Sequence, residues 1–309
     1  MRVLVTGGAG FIGSQIVRTL EQRGHLVTVL DKLTYAGRRE HLDGTRARLI
    51  VGDICDPDAV SSAIQDQQAV IHAAAESHVA RALEQPGLFI HVNVEGTRRM
   101  LQAAAQEGVQ RFLLLSTDEV FGTAPTGTWF GTDQPHRPGN SYAASKSGAE
   151  ALVHAWRHTH QYPAAIARCT NNYGPRQHPE KAIPWWTRDA LAGGPVPVHG
   201  DGTAVRDWLH VEDCASGLVA AVEQWHPAAT WHFAGQQLRQ NRDVAQAVIT
   251  ACSARGAIRF VPDRQGQDRR YALDDAQTRA VLGWQPQIPM AQGIAQTVAW
   301  YQEHGRLWS

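Results

Sequence analysis

The first half of the chain alternates two apolar rhythms. Short continuous runs, RVLVT at Arg2–Thr6 and LVTVLD at Leu26–Asp31, read as strands buried on both faces. Between them Phe11, Ile12, Ile16, Val17 and Leu20 recur at helical spacing until Gly24 ends the pattern. The same reading puts further strands in ARLIVGD, AVIHAA and RFLLLS, with helices over about 57–65, 94–107 and 141–160. Strands alternating with helices imply βαβ units. The expected fold is therefore α/β, a doubly wound parallel sheet covered by helices on both faces.

After AAIARCTNNYGP the rhythm loosens, and Pro175, Pro179, Pro184, Pro195 and Pro197 break the chain into loops and short elements. The expected division is a first domain over 1–170 that carries the sheet and a smaller α/β domain over 171–309. The two are expected to interleave in part, a later segment returning to the sheet.

Composition narrows the function. Lys plus Arg and Asp plus Glu number 29 each, so no basic surplus points to nucleic acid and no acidic excess to a solvating role. Cys55, Cys169, Cys214 and Cys252 lie far apart with no CxxC pair, which supports neither a metal site nor a disulfide framework and suits a reducing compartment. No apolar run reaches the length of a membrane span, and Met1-Arg2 leads straight into VLVTGGAG. The expectation is a soluble, cytoplasmic protein with no metal and no membrane or nucleic-acid partner.

TGGAGFIG sets Gly7, Gly10 and Gly13 between the first strand and the first helix, with Asp31 closing the next strand. Glycines there let the backbone approach a pyrophosphate, and the helix N-terminus supplies N–H donors and positive dipole. This is the Rossmann dinucleotide pattern in its proper context. Asp31 would accept bonds from the adenosine ribose hydroxyls and repel a 2′-phosphate, which favours NAD over NADP; Lys32, Arg38 and Arg39 nearby weaken that preference without reversing it. Asp53 is placed either to meet the adenine edge or to cap the turn before Pro57.

RFLLLSTDEVFG poses the sharper question. An apolar strand runs into Ser116, Thr117, Asp118 and Glu119 before returning to Val120 and Phe121. Two adjacent carboxylates cannot both ionise cheaply, so one becomes an acid and the other a base, as an elimination requires. Neighbours in a strand point to opposite faces, however, so both can serve one site only if the strand ends or turns at Thr117. Downstream, SYAASK places Tyr142 and Lys146 four apart on one helix face. A free phenol near pKa ~10 is a poor base, and a shift of ~3 units requires about 4 kcal/mol from nearby cations. Ser116 or Thr117 would supply the hydroxyl that completes the set.

The GGxGxxG pattern followed by YxxxK resembles the extended short-chain dehydrogenase/reductases. STDEVFG, YAASK, TNNYGPRQHPEKAIP and RDWLHVED together resemble the nucleotide-sugar 4,6-dehydratases, chiefly the dTDP-glucose 4,6-dehydratases, from residue 2 to about residue 286. The Thr117-Asp118-Glu119 triplet separates that family from epimerases and decarboxylases of the same fold. The resemblance implies NAD as cofactor and Thr117, Asp118, Glu119, Tyr142 and Lys146 as the catalytic set. Tyr142 would take the C-4 hydroxyl proton while hydride passes to NAD. Glu119 would remove the C-5 proton, Asp118 would protonate the departing C-6 oxygen, and hydride would return to C-6. It further implies cofactor contacts from Phe11, Ile12, Lys32, Thr34, Ile54 and Ala74 beside the residues already named.

Substrate contacts are implied from Ser77, Asn172, Lys181, Pro197, His199, Arg206, Gln237 and Arg264, with Arg206 a candidate for bidentate phosphate contact unless it pairs with Asp207 or Asp213. The chain departs from the family on the nucleotide side. Ala80 and Ala82 lack an expected carboxylate and hydroxyl, His199 replaces a Tyr, Gln237 an Asn and Gln267 a His. The substrate is thus an NDP-hexose whose nucleotide is dTDP, UDP or another. The remaining alternatives are a same-fold epimerase, decarboxylase or 5,6-dehydratase acting on a UDP-sugar, and a nucleotide-sensing regulator without turnover. Relatives pair two helices from each subunit, so a homodimer through the helices over 94–107 and 141–160 is expected.

Overall fold

Seven strands form the central sheet of the computed structural model, which describes residues 1–263 and 265–305. They are β1 (Arg2–Thr6), β2 (Leu26–Asp31), β3 (Arg48–Val51), β4 (Ala69–His72), β5 (Arg111–Thr117), β6 (Ala165–Cys169) and β7 (Thr230–Phe233). Their order is β7-β6-β5-β4-β1-β2-β3, and every neighbouring pair is parallel. From β1 the chain winds outward to β3 and then crosses to β4 on the other side. That reversal opens a crevice at the carboxyl ends of β1 and β4, where doubly wound sheets bind ligands.

The continuous apolar runs are explained by two cores. Ile71, Leu113 and Leu115 pack with α1 (Phe11–Gln22) and the helix Val211–Glu223 on one face. Val70, Phe112 and Leu114 pack with α2 (Pro57–Ile64), α3 (Gly96–Gln106) and α4 (Ser141–Thr159) on the other. With helices on both faces, every residue of β4 and β6 and every residue of β5 after Arg111 is buried, and each large side chain so buried contributes roughly 1.5–3 kcal/mol.

The helix expected over 94–107 differs at its start. The segment Ile90–Glu95 is wound as a wide, π-type turn before α3 begins at Gly96. Such turns recur at functional sites. Asn93, buried in it, accepts from the Glu76 N–H at 2.8 Å and donates to the Glu76 carbonyl at 2.9 Å and to Ser145 Oγ at 2.8 Å. One amide therefore fastens the loop after β4 to α4.

After β6 the chain leaves the sheet. Asn171–Tyr173, Val205–His210 and Leu238–Gln240 form a three-stranded sheet, and Val196–His199 pairs with Ile258–Val261. The helices Ala182–Leu191, Asn241–Ala251 and Met290–His304 enclose a separate core around Tyr173, Trp186 and Ile294. Between these elements the chain returns to the central sheet once, as β7 beside β6.

Candidate active site

The crevice is a cavity of about 630 Å³. At one end the loop after β1 turns sharply: Gly7 has φ +70°, and a Cβ on Gly13 would lie 2.0 Å from the Gly7 carbonyl. α1 then begins with no side chain capping its N-terminus. A Cβ on Gly10 would meet only the Gly7 carbonyl, at 3.2 Å, so the space before these N–H groups is open to a phosphate. Asp31, 8% exposed, is aimed by two backbone donors, Ala9 N–H at 2.9 Å and Leu33 N–H at 2.8 Å. A Cβ on Gly37 would lie 2.6 Å from its Oδ1, so that glycine keeps the carboxylate clear.

Both placements open to Asp53 are kept: the cap of the helix itself belongs to Asp56, which accepts from the Asp58 N–H at 3.0 Å, while Asp53 holds the turn before Pro57 by accepting from the Cys55 N–H at 2.8 Å. Asp53 lines the cavity and holds the Lys32 ammonium at 2.7 Å. That pairing takes up the charge of one of the three cations that weakened the preference for NAD.

At the other end, Thr117 finishes β5 in extended conformation and its hydroxyl accepts from the Glu119 N–H at 3.3 Å. It thereby caps a single 3₁₀ turn, Asp118–Phe121, closed by Gly122 at φ +70°, ψ −157°. A Cβ there would lie 2.5 Å from the Arg137 carbonyl. The strand alternation stops at Thr117, so Asp118 and Glu119 both reach the wall of the one cavity. Tyr142 and Lys146 enter the same wall from α4, which Asn140 caps through the Ala143 N–H at 2.9 Å. Asn140 also donates to Glu119 Oε2 at 3.2 Å. Of the two candidate hydroxyls, Ser116 donates to Glu150 at 2.5 Å, whereas Thr117 donates to Asp118 Oδ1 at 3.2 Å and lies near enough to the Tyr142 phenol to oppose its upward shift.

The two carboxyls sit in different fields. Asp118 is 3% exposed; burial first, and the Glu119 charge second, hold its pKa well above the usual carboxylate range. Its Oδ2 is buried without a hydrogen-bond partner among the described residues. Glu119 is raised by burial too, but the Asn140 bond and the charges of Lys181 and Arg206 pull it back. The Tyr142 phenol is pushed up, by burial and then by Glu119, against the Thr117 bond. The protein alone therefore does not supply the lowered phenol that the Tyr142–Lys146 spacing suggests. Burial brings the Lys146 ammonium down to about 8, against the opposing charge of Glu150.

The cavity wall includes Gly7, Gly10, Phe11, Ile12, Gly13, Asp31, Lys32, Thr34, Asp53, Ile54 and Ala74 of the expected cofactor residues, and Ser77, Asn172 and Lys181 of the expected substrate residues. Lys181 donates to the Ser77 carbonyl at 2.8 Å. Pro197, His199, Arg206 and Gln237 stand outside that wall. Pro197 takes the Trp186 indole N–H on its carbonyl at 2.6 Å. His199 lies 2.9 Å from the Pro262 carbonyl and 5.8 Å, ring to ring, from Trp185. Arg206 is buried against the Tyr271 ring at 4.3 Å and donates to the Asp268 carbonyl at 2.7 Å, not to Asp207 or Asp213, while its charge still acts on both catalytic carboxyls. Gln237 has both ends of its amide engaged, with the Met290 N–H at 2.6 Å and the Ile288 carbonyl at 3.3 Å. Arg264 lies outside the described residues.

The sequence reading missed a cluster at the cavity mouth. Arg81 stacks 3.8 Å over the Tyr35 ring, His178 meets that ring edge-on at 5.2 Å, and Glu180 bonds the Tyr35 hydroxyl. These side chains come from three segments far apart in the chain, and no local pattern announces them. Glu76, buried with an Oε2 that has no hydrogen-bond partner among the described residues, also lines the wall.

A family model described as NAD dependent epimerase/dehydratase matches residues 3–231. A dTDP-glucose 4,6-dehydratase of Streptomyces niveus is 41% identical over 319 residues, spanning 100% of this chain and 95% of the relative. One from Streptomyces griseus is 43% identical over 316 residues, spanning 99% and 95%. Among solved structures, the dTDP-glucose 4,6-dehydratase DesIV of Streptomyces venezuelae, crystallised with NAD and dTDP bound, superposes with a TM-score of 0.96 at 40% identity, covering 100% of this chain and 99% of that one.

The glycine geometry predicts two different failures. Gly10→Ala should fold with stability within about 1 kcal/mol of the parent but purify with much less adenine dinucleotide, because its methyl enters the phosphate space. Gly13→Ala forces two backbones apart and should cost more than roughly 2 kcal/mol. Urea unfolding and nucleotide absorbance of the deproteinised sample separate the two; equal behaviour would contradict the assigned geometry.

Proposed function

The chain belongs to the NAD dependent epimerase/dehydratase family, and from that premise we propose that it is a hydro-lyase converting an NDP-hexose, dTDP-glucose, to the NDP-4-keto-6-deoxyhexose. The observation that carries this reading is the turn at Thr117, which brings an acid and a base of unequal field into one wall with Tyr142 and Lys146. An enzyme that only moved hydride would have no use for them.

Bound NAD supplies a reversible hydride acceptor and, when oxidised, a positive charge beside the phenol. Gly7, Gly10, Gly13 and the N-terminus of α1 would hold its pyrophosphate, Asp31 its adenosine ribose, and Lys146 its second ribose. Tyr142 takes the proton from the C-4 hydroxyl, with Thr117 orienting its hydroxyl. Oxidation at C-4 acidifies the C-5 hydrogen, which Glu119 removes as the more readily ionised carboxyl. Asp118, kept neutral by burial, gives its proton to the C-6 oxygen, which leaves as water. With the hydride taken from C-4 returned to C-6 and the Glu119 proton returned to C-5, the sugar ends oxidised at C-4, reduced at C-6 and short of one water; Tyr142 gives up its proton and Asp118 regains one through solvent, so the reaction is redox-neutral and the cofactor is regenerated in every turnover.

The nucleotide-sugar side falls to residues 171–309 apart from β7, with Asn172 and Lys181 in the same wall as the carboxyl pair and the Arg206 charge acting on it. We propose a cytoplasmic homodimer assembled through α3 and α4; among the described residues no helix is long and apolar enough to cross a membrane.

Incubation with dTDP-glucose and with UDP-glucose should give a 4-keto-6-deoxy product from the first in preference to the second. Absence of 4-keto product from both would overturn the reading. Glu119→Gln should still reduce bound cofactor with substrate, seen as transient reduced-nicotinamide absorbance, while dehydration falls by roughly 10²–10⁴-fold. Unchanged dehydration would remove Glu119 from its role. Light scattering should return twice the 33.9 kDa chain mass; a monomer would refute the dimer.

A further inference from the structure

Behind the cleft wall lies a buried ion pair that the mechanism above does not use. Glu150 on α4, fully buried, accepts from Ser116 Oγ at 2.5 Å, Arg168 Nη2 at 2.6 Å and Arg168 Nε at 3.0 Å, and His136 Nε2 lies 3.4 Å away. Arg168 on β6, 2% exposed, donates also to the Thr132 carbonyl at 2.9 Å, and its guanidinium carbon sits 4.6 Å over the Phe121 ring. Glu150 and Arg168 are not among the residues of the cavity wall.

The pair nevertheless grips both pieces of the chain that carry Thr117, Asp118, Glu119, Tyr142 and Lys146. Ser116 immediately precedes Thr117, and Phe121 is the last residue of the turn that begins at Asp118. Glu150 stands one turn from Lys146 and two from Tyr142 on the same helix. Between that turn and that helix the chain runs through residues 122–140, a connection too long to fix their separation by itself. Stability does not explain the pair. A buried ion pair seldom exceeds a well-packed apolar pair in stability, whereas its forked, bidentate geometry fixes distances and angles that apolar contacts leave loose.

We propose that Glu150 and Arg168 are positioning residues for the dehydration: they hold the turn carrying Asp118 and Glu119 in register with the helix carrying Tyr142 and Lys146. The proposal rests on the dehydratase reading. A displacement of about 1 Å in such a constellation can cost on the order of 100-fold in rate.

The test uses the NAD-loaded enzyme. Glu150→Gln combined with Arg168→Gln removes both charges together and so leaves no unpaired buried ion. The expected result is a melting midpoint within about 3 °C of the parent, unchanged dinucleotide content, KM for dTDP-glucose within about threefold, and kcat lower by roughly 100-fold. Arg168→Lys, which keeps the charge but loses the fork and the ring contact, should fall between, at roughly tenfold. A folded, loaded double variant with kcat within about twofold of the parent overturns the proposal, and so does a kcat loss matched by an equal loss of bound dinucleotide or an equal rise in KM. If the double variant does not fold, Ser116→Ala decides, since it releases only the strand end: roughly tenfold lower kcat at unchanged melting and KM supports the proposal, and unchanged kcat overturns it. Absence of product from the parent enzyme is a different outcome, which sinks the dehydratase reading and this proposal with it.

Discussion

The site depends on one constraint, that β5 stop being a strand at Thr117. While a strand continues, adjacent side chains face opposite sides of the sheet, and no placement of Asp118 and Glu119 could serve one substrate. The stop is enforced from both directions. Thr117 caps the new turn with its hydroxyl, and Gly122 closes it in a backbone conformation essentially reserved for glycine. The turn is also clamped by packing, since Val120 and Phe121 are buried in one cluster with Phe130, Ala272 and Leu273. The charged pair and the apolar pair that follows it are two faces of one device.

Once both carboxyls share a cavity, their roles follow from what surrounds each. Burial raises both, as low dielectric always disfavours a charge. Asp118 adds a neighbouring carboxylate to that burden, while Glu119 has Asn140, Lys181 and Arg206 to relieve it. The result is a pair in which Asp118 holds its proton more tightly than Glu119. Tyr142 obeys the same rule: its raised pKa follows from burial beside Glu119. A positive charge introduced into that low-dielectric space acts on the phenol more strongly than it would in water. Proton removal is thereby tied to a loaded cleft.

How much of this was legible in the sequence depended on sequence distance. The sheet, the glycine turn, Asp31, the carboxyl pair and the Tyr142–Lys146 spacing are each written within one or two elements, where periodicity and turn chemistry decide the structure. The choice of Thr117 over Ser116 was not, because it depends on Glu150, 34 residues away, engaging Ser116. Nor was the mouth cluster, in which Tyr35, Arg81 and Glu180 meet only through the fold. The wide turn at Ile90–Glu95 was hidden for another reason: its register shift leaves the apolar spacing nearly helical, and only the bonds of Asn93 reveal it. Gln237 reads as a ligand residue by position, while its amide in fact fastens the start of Met290–His304.

The two polar centres of the molecule work against each other in stability. Asp118 and Lys146 have pKa values displaced toward their neutral forms, which means that folding opposes the charges they would carry in the unfolded chain at neutral pH. Glu150 has the opposite sign. Burial raises it, but the bonds from His136, Arg168 and Ser116 outweigh burial and hold it at about 2. Its contribution is complete above the unfolded pKa of 4.5 and is lost as pH falls toward 2, where the carboxylate takes up a proton and the pair with Arg168 dissolves. Falling pH therefore relieves the Asp118 penalty, between its raised folded value and the unfolded 3.8, before it dissolves the Glu150 pair, whereas the Lys146 penalty is relieved only as pH rises above about 8. The catalytic cleft is the strained part and the pair behind it the restraining part, and a bound dinucleotide adds to the restraint by mass action because it binds only the folded chain.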